Sequence, residues 1–255
     1  RKYRRRQSRR GLLERLDARV VGRDLGAYAL LLEREPEERE ALVRAMHVTV
    51  SRFYRDPDVW RALEHEVLPH LAASVGEGAR LRAWSVGCAS GEEPYSLSIA
   101  WSRVDPDRRS GRSLTILATD LDRVVLERAR AAVYDRASLR DLPAGLTGEA
   151  FEDLGEGRFR LRESWRRRVQ LRRADLLADE PPRGVDLVLC RYLVLTYYRG
   201  ARLERALERL QGAARPHGLL VVGEREPLPS EAQEHLRRWR PDVPCVYRFA
   251  SSDPR

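Results

Sequence analysis

The sequence predicts an α/β protein with a doubly wound, mainly parallel sheet, an all-helical segment before the sheet and a small β-insertion within it. From Leu81 onward, apolar strand-like runs alternate with amphipathic helix-like segments, which is the pattern of a parallel sheet covered by helices. Before Leu81, apolar residues recur at helical spacing instead. A segment rich in turn residues, from about 134 to 168, interrupts the alternation and is expected to form a small β-subdomain or an arm.

Residues 1–75 are predicted to form an N-terminal helical domain. The expected helices lie in "GLLERLDARVVGRDLGAYALLLE", "EPEEREALVRAMHVTV" and "DPDVWRALEHEVLPHLAASV". In the third helix, Asp56 is expected to be the cap and Pro57 to occupy the first turn. Because the chain begins with Arg1 and not Met, we expect the start of this domain to be missing. The glycines of "GEGA" predict a linker, and residues 76–255 are expected to form the second domain.

The second domain is predicted to contain six strands in its main sheet. The predicted strands are "LRAWSVG", "SLTILATD", "RRVQLRRADL", "GVDLVLC", "LLVVGE" and "CVYRFA". Helices are predicted from about Glu92, in "DRVVLERARAAVY", in "ARLERALERLQGAARPHG" with its end at the Pro and Gly, and in "SEAQEHLRRW". A sheet of this kind binds its ligand at the carboxyl ends of the parallel strands.

The positive charge of the chain is concentrated at one end. The net charge is +9 over 255 residues, and the first ten residues contain seven cations and no acid. This tract is either a solvated tail or a landing surface for an acidic partner. An acidic protein is favoured over nucleic acid, because no aromatic-rich RNA-binding signature accompanies the arginines.

Several classes of protein are disfavoured by what the sequence lacks. No run of about 18 apolar residues is present to span a membrane, and no signal peptide is apparent. The three cysteines are few and widely spaced, which predicts a reducing, cytoplasmic location. No CxxC or HExxH pattern occurs, so no metal site is predicted.

The loop after the first predicted strand, "VGCASGEEPYS", is the first candidate for ligand binding. Its small residues Gly87, Ala89 and Gly91 would let the backbone approach a ligand closely. The loop matches neither the dinucleotide fingerprint nor the phosphate-binding loop. The adjacent Glu92 and Glu93 would repel a pyrophosphate and would suit a ligand with a cationic group, such as an ammonium or a sulfonium.

Asp120 is the second candidate, because an acid at the carboxyl end of this strand commonly binds a ribose diol. Its alternative interpretation is an ordinary cap, whereas Asp122 is expected to cap the next helix. The two candidate sites together predict a pocket for a nucleoside that bears a cationic amino acid, which is S-adenosylmethionine. Asp175 and Leu176, after the third strand, are expected to lie where the adenine ring binds.

Several stretches occur in an order that is typical of one protein family. They are "VTVSRFYRDPDVW", "GCASGEEPYSLSIA", "ATDLDRVVLERARAAVY", "SLRDLP" and "DLVLCRY" with "ARLERALERLQGAARPHGLLVVGE" after it. Over nearly its whole length, the chain resembles the CheR-type chemoreceptor glutamate methyltransferases. The resemblance implies a Rossmann-like class I methyltransferase fold and methyl transfer from S-adenosylmethionine to receptor glutamates, with S-adenosylhomocysteine as product.

The resemblance also implies a partner. A basic face of the helical domain would meet an acidic, coiled-coil receptor or signalling protein in the cytoplasm, and the enzyme is expected to be a monomer. The segment 134–168 would be the small β-subdomain, which in some members of the family docks a receptor tail peptide. Nucleic acid is not expected to be a partner.

The resemblance assigns roles to individual residues. Arg55 matches the family's arginine beside the methyl-transfer centre, and Arg191 matches the arginine of its "CRN" motif. A purely structural ion pair is the alternative for Arg191. The positions expected to contact the cofactor are Thr49, Ser51, Arg55, Gly87, Ala89, Glu93, Asp120, Leu121, Asp175, Leu176, Arg191 and Tyr192.

The chain departs from the family pattern at four positions. Thr49 replaces an Asn and Ser51 replaces a Thr. In "DLVLCRYLVLTYY", Tyr192 replaces the Asn of "CRN", and Thr196 replaces the tyrosine that the family places over the reactive methyl group. Thr196 is therefore named with Arg55 and Arg191 as a position of the catalytic centre.

Three functions follow from these observations. The first is a protein-glutamate O-methyltransferase that acts on a chemoreceptor-like protein. The second is a methyltransferase with another acceptor, a small molecule or another protein, which the changed stretch from 192 to 196 would favour. The third is a catalytically weak module that binds the cofactor and acts through a partner.

Overall fold

The computed structural model describes residues 12–19, 24–35, 37–39, 41–42, 51–104 and 111–250. The chain falls into two compact units that divide between Val50 and Ser51. The sequence predicts a boundary between residues 75 and 76, and so groups the helix that starts at Pro57 with the N-terminal segment. In the structure, that helix shares the core of the second unit.

A buried carboxylate organises the first unit. Helix α1 spans Leu25–Arg34 and begins at Asp24, whose side chain accepts hydrogen bonds from two backbone N–H groups of the first turn. Glu38 is 3% exposed and accepts hydrogen bonds from the Tyr28 hydroxyl at 2.7 Å and from Arg15 at 2.9 Å. These charge-assisted bonds connect separate helical segments of this unit.

The second unit alternates strands with helices. Its strands are β1 Arg80–Val86, β2 Ser113–Asp120, β3 Val133–Asp135, β4 Phe151–Asp153, β5 Arg158–Leu161, β6 Val169–Arg173, β7 Val185–Leu189, β8 Ala214–Val221, β9 Leu236–Arg240 and β10 Val243–Phe249. Its α-helices are α2 Pro57–Ala62, α3 Leu68–Ala73, α4 Glu92–Val104, α5 Arg123–Ala131, α6 Leu146–Ala150, α7 Glu163–Arg166, α8 Val194–Tyr197 and α9 Ala201–Ala213. A π-helical turn, Leu63–Val67, joins α2 to α3. Within the described parts of the chain, no helix is both long and apolar enough to cross a membrane.

The main sheet has seven strands in the order β6-β2-β1-β7-β8-β10-β9. The five strands from β6 to β8 are parallel, and β10 and β9 are antiparallel to their neighbours. The strand order reverses between β1 and β7, which is the switch point where ligands of such sheets bind. The predicted doubly wound, mainly parallel sheet is confirmed.

Helices cover both faces of this sheet. On one face, Trp60, Leu63 and Val67 of the α2–α3 region are buried in one cluster with Leu81 of β1 and Leu187 of β7. Each such side chain contributes about 1.5–3 kcal/mol by its burial. This packing explains why the α2–α3 region belongs to the second unit.

On the other face, α9 covers β1 and β7. Its Leu203, Leu207 and Leu210, spaced for one helical face, are buried with Trp84 and Val188. The apolar spacing of "ARLERALERL" therefore predicts both the helix and its buried side.

A second, three-stranded sheet has the order β3-β5-β4 and lies in the segment predicted to be the small β-subdomain. An aromatic cluster anchors it to the core. The ring of Phe53 makes edge contacts with those of Tyr134, at 4.8 Å between centroids, and Phe151, at 5.0 Å. The expected insertion is confirmed.

Two expected helices differ in the structure. The predicted helix "SEAQEHLRRW" is wrong: only Ser230–Gln233 forms a 3₁₀ turn, and Leu236–Arg240 is the edge strand β9. Pairing with β10 supplies backbone hydrogen bonds that a local amphipathic pattern does not reveal. The helix α9 ends at Ala213, and its expected Pro-Gly end lies within β8.

Candidate functional site

Five loops meet at the carboxyl edge of the parallel strands, on either side of the switch point. They follow β1, β2, β6, β7 and β8, and they comprise residues 87–91, 120–122, 174–179, 190–196 and 223–226. Because these strands run parallel, their carboxyl ends share one edge of the sheet. Every candidate site residue predicted after a strand lies in one of these loops or beside it.

The loop after β1 turns so tightly that it requires glycine. Gly87 and Gly91 have φ of 71° and 94°, and Ala89 between them has φ of 49°. A Cβ at Gly91 would lie 2.8 Å from the Tyr95 ring, and one at Gly87 would lie 2.8 Å from the Leu193 side chain. The two glycines therefore allow the loop to pack closely against Tyr95 and Leu193, whereas their expected close approach to a ligand stays a prediction.

Asp120 connects the loops after β1 and β2. Its Oδ2 accepts a hydrogen bond from the backbone N–H of Ala89, and its Oδ1 accepts one from the N–H of Asp122, both at 2.9 Å. Asp122 caps α5 through a 2.8 Å bond from the N–H of Val124, as predicted. Asp120 is thus held at the strand end, in the position from which such an acid can meet a ribose.

The two glutamates at the start of α4 have different surroundings. Glu93 accepts a 2.7 Å hydrogen bond from Ser85 and lies 3.5 Å from Arg191. Burial raises the pKa of Glu93, and the charge of Arg191 opposes that rise. Glu92 is 5% exposed, and burial raises its pKa to about 7, although a hydrogen bond with Ser51 opposes the rise.

Arg191 follows β7 and is buried among acids. Its Nη2 donates to Oδ2 of Asp56 at 2.9 Å and also to the carbonyl oxygen of Arg55. Its Nη1 is 3.5 Å from Glu93. The side chain is only 3% exposed. The geometry is that of a buried ion-pair network, which was the alternative interpretation of this residue.

Asp56 lies at the N-cap position of helix α2, as predicted, but its carboxylate does not cap the helix. Its φ is 61°, and its side chain makes no capping hydrogen bond. The carboxylate turns instead toward Arg191 and the hydroxyl of Tyr192, which donates a 2.5 Å hydrogen bond to the same oxygen. Burial alone would raise the pKa of Asp56, but the hydrogen bond from Tyr192 and the charge of Arg191 outweigh burial and lower it. Pro57 occupies the first turn of α2, as predicted.

Tyr192, one of the departures from the family pattern, lies at the centre of this network. Its φ is 60°, which is unusual for an aromatic residue. The guanidinium of Arg55 lies over its ring, 4.1 Å from the centroid. A Cβ at Gly223 would lie 2.6 Å from Cζ of the ring, so only glycine fits there. Burial and the bond to Asp56 raise the pKa of Tyr192 to about 12, so the phenol stays protonated at neutral pH.

Glu226 is a member of the site that was not predicted. It is 7% exposed and lies in the loop after β8. Its Oε2 accepts hydrogen bonds from the backbone N–H groups of Tyr192, at 2.6 Å, and Gly223, at 2.8 Å. Its Oε1 accepts one from the hydroxyl of Thr196 at 2.6 Å. Burial raises its pKa, and these three hydrogen bonds oppose the rise.

A signal for Glu226 exists in the sequence. The fifth predicted strand, "LLVVGE", is followed by "REP", which places an acid just beyond the carboxyl end of a parallel strand. The rule that selects Asp120 therefore points to this stretch, but it offers Glu224 at the strand end before Glu226. Nothing in the sequence indicates that its partners are Tyr192 and Thr196.

The structure shows the surroundings of three further positions that are predicted to contact the cofactor. Asp175 accepts a 2.8 Å hydrogen bond from the N–H of Leu177, and Leu176 packs partly buried against the core. Leu121 is 49% exposed at the end of β2. Thr49 lies outside the described residues.

Among the residues that the structure describes, no group of three His, Cys, Asp or Glu side chains could hold a metal ion. The three cysteines are all free thiols. Burial raises the pKa of Cys88 and of Cys190.

Comparison with known proteins identifies relatives of the chain. Residues 49–241 match the family described as CheR methyltransferase, SAM binding domain. A chemotaxis protein methyltransferase from Listeria monocytogenes is 31% identical over 83% of this chain and 78% of its own length.

Two longer proteins are also similar. An uncharacterized 104.1 kDa protein of Rhodobacter capsulatus is 37% identical over 80% of this chain, which spans only 21% of that relative. A probable biofilm formation methyltransferase, WspC, of Pseudomonas aeruginosa is 33% identical over 91% of this chain and 54% of its own length. Among solved structures, a TehB-like SAM-dependent methyltransferase from Corynebacterium glutamicum is 17% identical over 75% of this chain and 94% of that one, with a TM-score of 0.40.

Proposed function

This chain belongs to the CheR methyltransferase family, and from that premise we propose that it methyl-esterifies glutamate side chains of a chemoreceptor-like signalling protein. The family membership makes it an S-adenosylmethionine-dependent methyltransferase. The observation that carries the choice of a carboxylate acceptor is the placement of Arg55 over Tyr192, next to the buried pair of Arg191 and Asp56.

The carboxyl edge of the sheet suits the cofactor. The loop with Gly87 and Gly91 has positive φ at both glycines and packs tightly against Leu193 and Tyr95, and a tight small-residue turn at this sheet edge suits close approach of the backbone to a ligand. Asp120 supplies a fixed carboxylate for ribose hydroxyls, and Glu93 supplies negative charge for a cationic amino acid. When bound, S-adenosylmethionine would supply a methyl group on a sulfonium. The residues that would hold it are Gly87, Ala89, Glu93, Asp120, Leu121, Asp175 and Leu176, with Thr49 and Ser51 from the preceding segment.

The chain's own residues need to orient the acceptor more than to activate it. A glutamate is ionised at neutral pH, so no base is required to generate the nucleophile. We assign Arg55 to the acceptor, because a guanidinium can hold a carboxylate through two parallel hydrogen bonds. Holding the reacting groups in line and excluding water contributes up to roughly 7–11 kcal/mol.

The other two residues predicted for the catalytic centre have supporting roles in this proposal. Arg191 is occupied by Asp56 and Glu93, so it holds the acids that surround the site. The hydroxyl of Thr196 is bonded to Glu226, so it fixes the loop after β7 and does not reach for the acceptor.

We further propose that the basic N-terminal residues attract the partner. Seven cations within the first ten residues suit an acidic helical surface, and such charge accelerates encounter and weakens in salt. The names of the chemotaxis methyltransferases among the relatives support a chemoreceptor as that partner.

The test is incubation with S-adenosylmethionine labelled in its methyl group and with cytoplasmic fragments of chemoreceptors. The expected product is a base-labile methyl ester on receptor glutamate. Arg55→Ala is expected to abolish labelling, whereas the control Arg61→Ala, which removes an exposed arginine paired with Asp58, is expected to keep it. Binding of S-adenosylhomocysteine without ester formation on any receptor fragment, together with turnover of a non-receptor acceptor, would refute the proposed substrate.

A further inference from the structure

We propose that Tyr192 is a positioning residue that fixes the guanidinium of Arg55 for the acceptor carboxylate, and that Glu226 holds Tyr192 in the backbone conformation that this requires. The identity of the acceptor rests on the proposed function, but the contact between the two side chains does not. The proposal also separates Tyr192 from the cofactor-binding positions among which the sequence places it.

The first step is the contact of the ring with the cation. The guanidinium carbon of Arg55 lies 4.1 Å from the centroid of the Tyr192 ring. A guanidinium attracted to an aromatic ring in this way uses its face, whereas its N–H donors lie at the edge of its plane. The contact with Tyr192 therefore restricts where the guanidinium of Arg55 can lie, and bidentate binding of a carboxylate needs a guanidinium in a fixed position.

The second step is that Arg55 is held at both its main chain and its side chain. The carbonyl oxygen of Arg55 accepts a hydrogen bond from Arg191. The next residue, Asp56, accepts bonds from Arg191 at 2.9 Å and from the Tyr192 hydroxyl at 2.5 Å. Arg191 and Tyr192 thus hold the "RDP" segment at the carbonyl of Arg55, the carboxylate of Asp56 and the guanidinium of Arg55. A shift of Tyr192 is therefore expected to move Arg55.

The third step concerns how Tyr192 keeps this position. Its φ of 60° is disfavoured for a residue with an aromatic side chain and must be stabilised by its surroundings. The backbone N–H of Tyr192 donates a 2.6 Å hydrogen bond to the buried carboxylate of Glu226, which also accepts from Gly223 and Thr196. Glu226 therefore links Tyr192 and Thr196 of the loop after β7 to Gly223 of the loop after β8.

The fourth step is the space reserved for the ring. Any side chain at Gly223 would collide with Tyr192, since a Cβ there would lie within 2.6–2.8 Å of three ring atoms. The glycine that leaves this space is three residues from the glutamate that holds Tyr192. The short segment from Gly223 to Glu226 therefore acts on Tyr192 twice: Gly223 leaves space for its ring, and Glu226 binds its backbone N–H.

The first experiment separates acceptor placement from cofactor binding. In Tyr192→Asn, the KM for the receptor fragment is expected to rise roughly 3- to 30-fold, which is the effect of a lost cation–π contact. The dissociation constant of S-adenosylhomocysteine, measured by calorimetry, is expected to stay within about twofold. Tyr192→Phe keeps the ring and is expected to stay closer to the wild type in KM. The control Trp239→Asn, which removes another aromatic side chain lying against an arginine, is expected to change neither quantity.

The second experiment needs no turnover. Phenylglyoxal modifies accessible arginines, and peptide mass spectrometry reports the rate at Arg55. Tyr192→Asn and Glu226→Leu are each expected to increase that rate several-fold, and Glu226→Gln, which keeps an oxygen for the N–H of Tyr192, is expected to have a smaller effect. If Tyr192→Asn fails to fold, Tyr192→Leu provides an apolar side chain without an aromatic face.

The outcomes are distinct. An unchanged modification rate at Arg55 in the Tyr192 and Glu226 variants would overturn the inference, even in an active enzyme. So would a loss of S-adenosylhomocysteine affinity as large as the rise in the acceptor KM, because Tyr192 would then be a cofactor contact. An enzyme that methylates no receptor but shows faster modification of Arg55 in the variants would refute the proposed substrate and leave the inference standing.

Discussion

The hydroxyl of Tyr192 donates a 2.5 Å hydrogen bond to the carboxylate of Asp56, a residue 136 positions earlier in the chain. Both residues have left-handed backbone conformations, with φ of 60° and 61°. The same carboxylate oxygen of Asp56 accepts a bond from Arg191. Two locally unfavourable conformations are thus stabilised by one buried polar network that neither segment could form alone.

Asp56→Asn is expected to destabilise the protein by about 2–4 kcal/mol, because a buried arginine loses a charged partner. Urea unfolding at pH 7 measures the loss. Since the pKa of Asp56 is lowered on folding from its ordinary 3.8, its stabilising contribution is present above pH 3.8 and is lost as the pH falls further. The difference between variant and wild type should therefore shrink in that range.

The matched control for Asp56→Asn is Asp58→Asn. Asp58 is two residues away, pairs with Arg61 and has a side chain that is 61% exposed. An exposed pair of this kind contributes roughly 0–1 kcal/mol. If both variants lost the same free energy of unfolding, the buried network of Asp56 would stabilise the protein no more than an exposed ion pair does.

Thr196→Val is expected to reduce stability by about 1 kcal/mol, because the hydroxyl no longer donates to Glu226. Chemical denaturation measures this change. The control is Thr147→Val, a half-buried helical threonine in α6, which is expected to be nearly neutral. A Thr196→Val variant as stable as the wild type would show that this hydrogen bond does not hold the loop after β7.

Asp120→Asn is expected to weaken the binding of S-adenosylhomocysteine by roughly tenfold or more, because a charge-assisted contact to the ribose is lost. Isothermal calorimetry measures the affinity. Asp122→Asn serves as its control, because Asn caps a helix about as well as Asp does, and it is expected to bind within about twofold of the wild type. Equal affinities of the Asp120 variant and the wild type would exclude Asp120 from the cofactor site.

Glu92→Gln is expected to remove a pH dependence of stability. The pKa of Glu92 rises on folding from an ordinary 4.5 to about 7, so the contribution of Glu92 to stability is fully present below pH 4.5 and is lost as the pH rises through 7. The variant is therefore expected to become more stable relative to wild type across this range, by on the order of 3 kcal/mol at pH 8. Urea midpoints between pH 4.5 and 8 test this expectation.

The exposed Glu127 provides the control for this experiment. Its side chain is 60% exposed on α5 and pairs with Arg123. Glu127→Gln should show the same pH profile as the wild type. A parallel profile for Glu92→Gln would mean that Glu92 ionises in the folded protein as readily as an exposed acid.

Most strands of the sheet could be predicted because a buried strand appears in the sequence as a short run of apolar residues. The run of β7, Val185–Leu189, is buried at every residue, and only a central parallel strand accommodates such a run. The edge strand β9 was mistaken for a helix because its alternation is weak and its stability comes from pairing with β10. Strand pairing of this kind depends on a partner that the local pattern does not contain.

The site could be predicted only in part, for a related reason. Residues that follow a strand, such as Asp120 and Arg191, were found because the strand marks their position. The local sequence "DP" has the signature of a helix start and predicts the N-cap position of Asp56, but not the role of its side chain. Its actual partners follow β7, far along the chain, and no local rule indicates them.

By itself, the sequence determined the fold class, the family and the edge of the sheet at which the site lies, because apolar periodicity and short motifs are properties of neighbouring residues. Only the tertiary structure decided which side chains of the site contact one another. It placed Arg55 on Tyr192, joined Asp56 to Arg191 and bonded Glu226 to Thr196. Those contacts form only when distant segments converge, and burial then makes each hydrogen bond and charge pair specific, because an unpaired partner would be costly to desolvate.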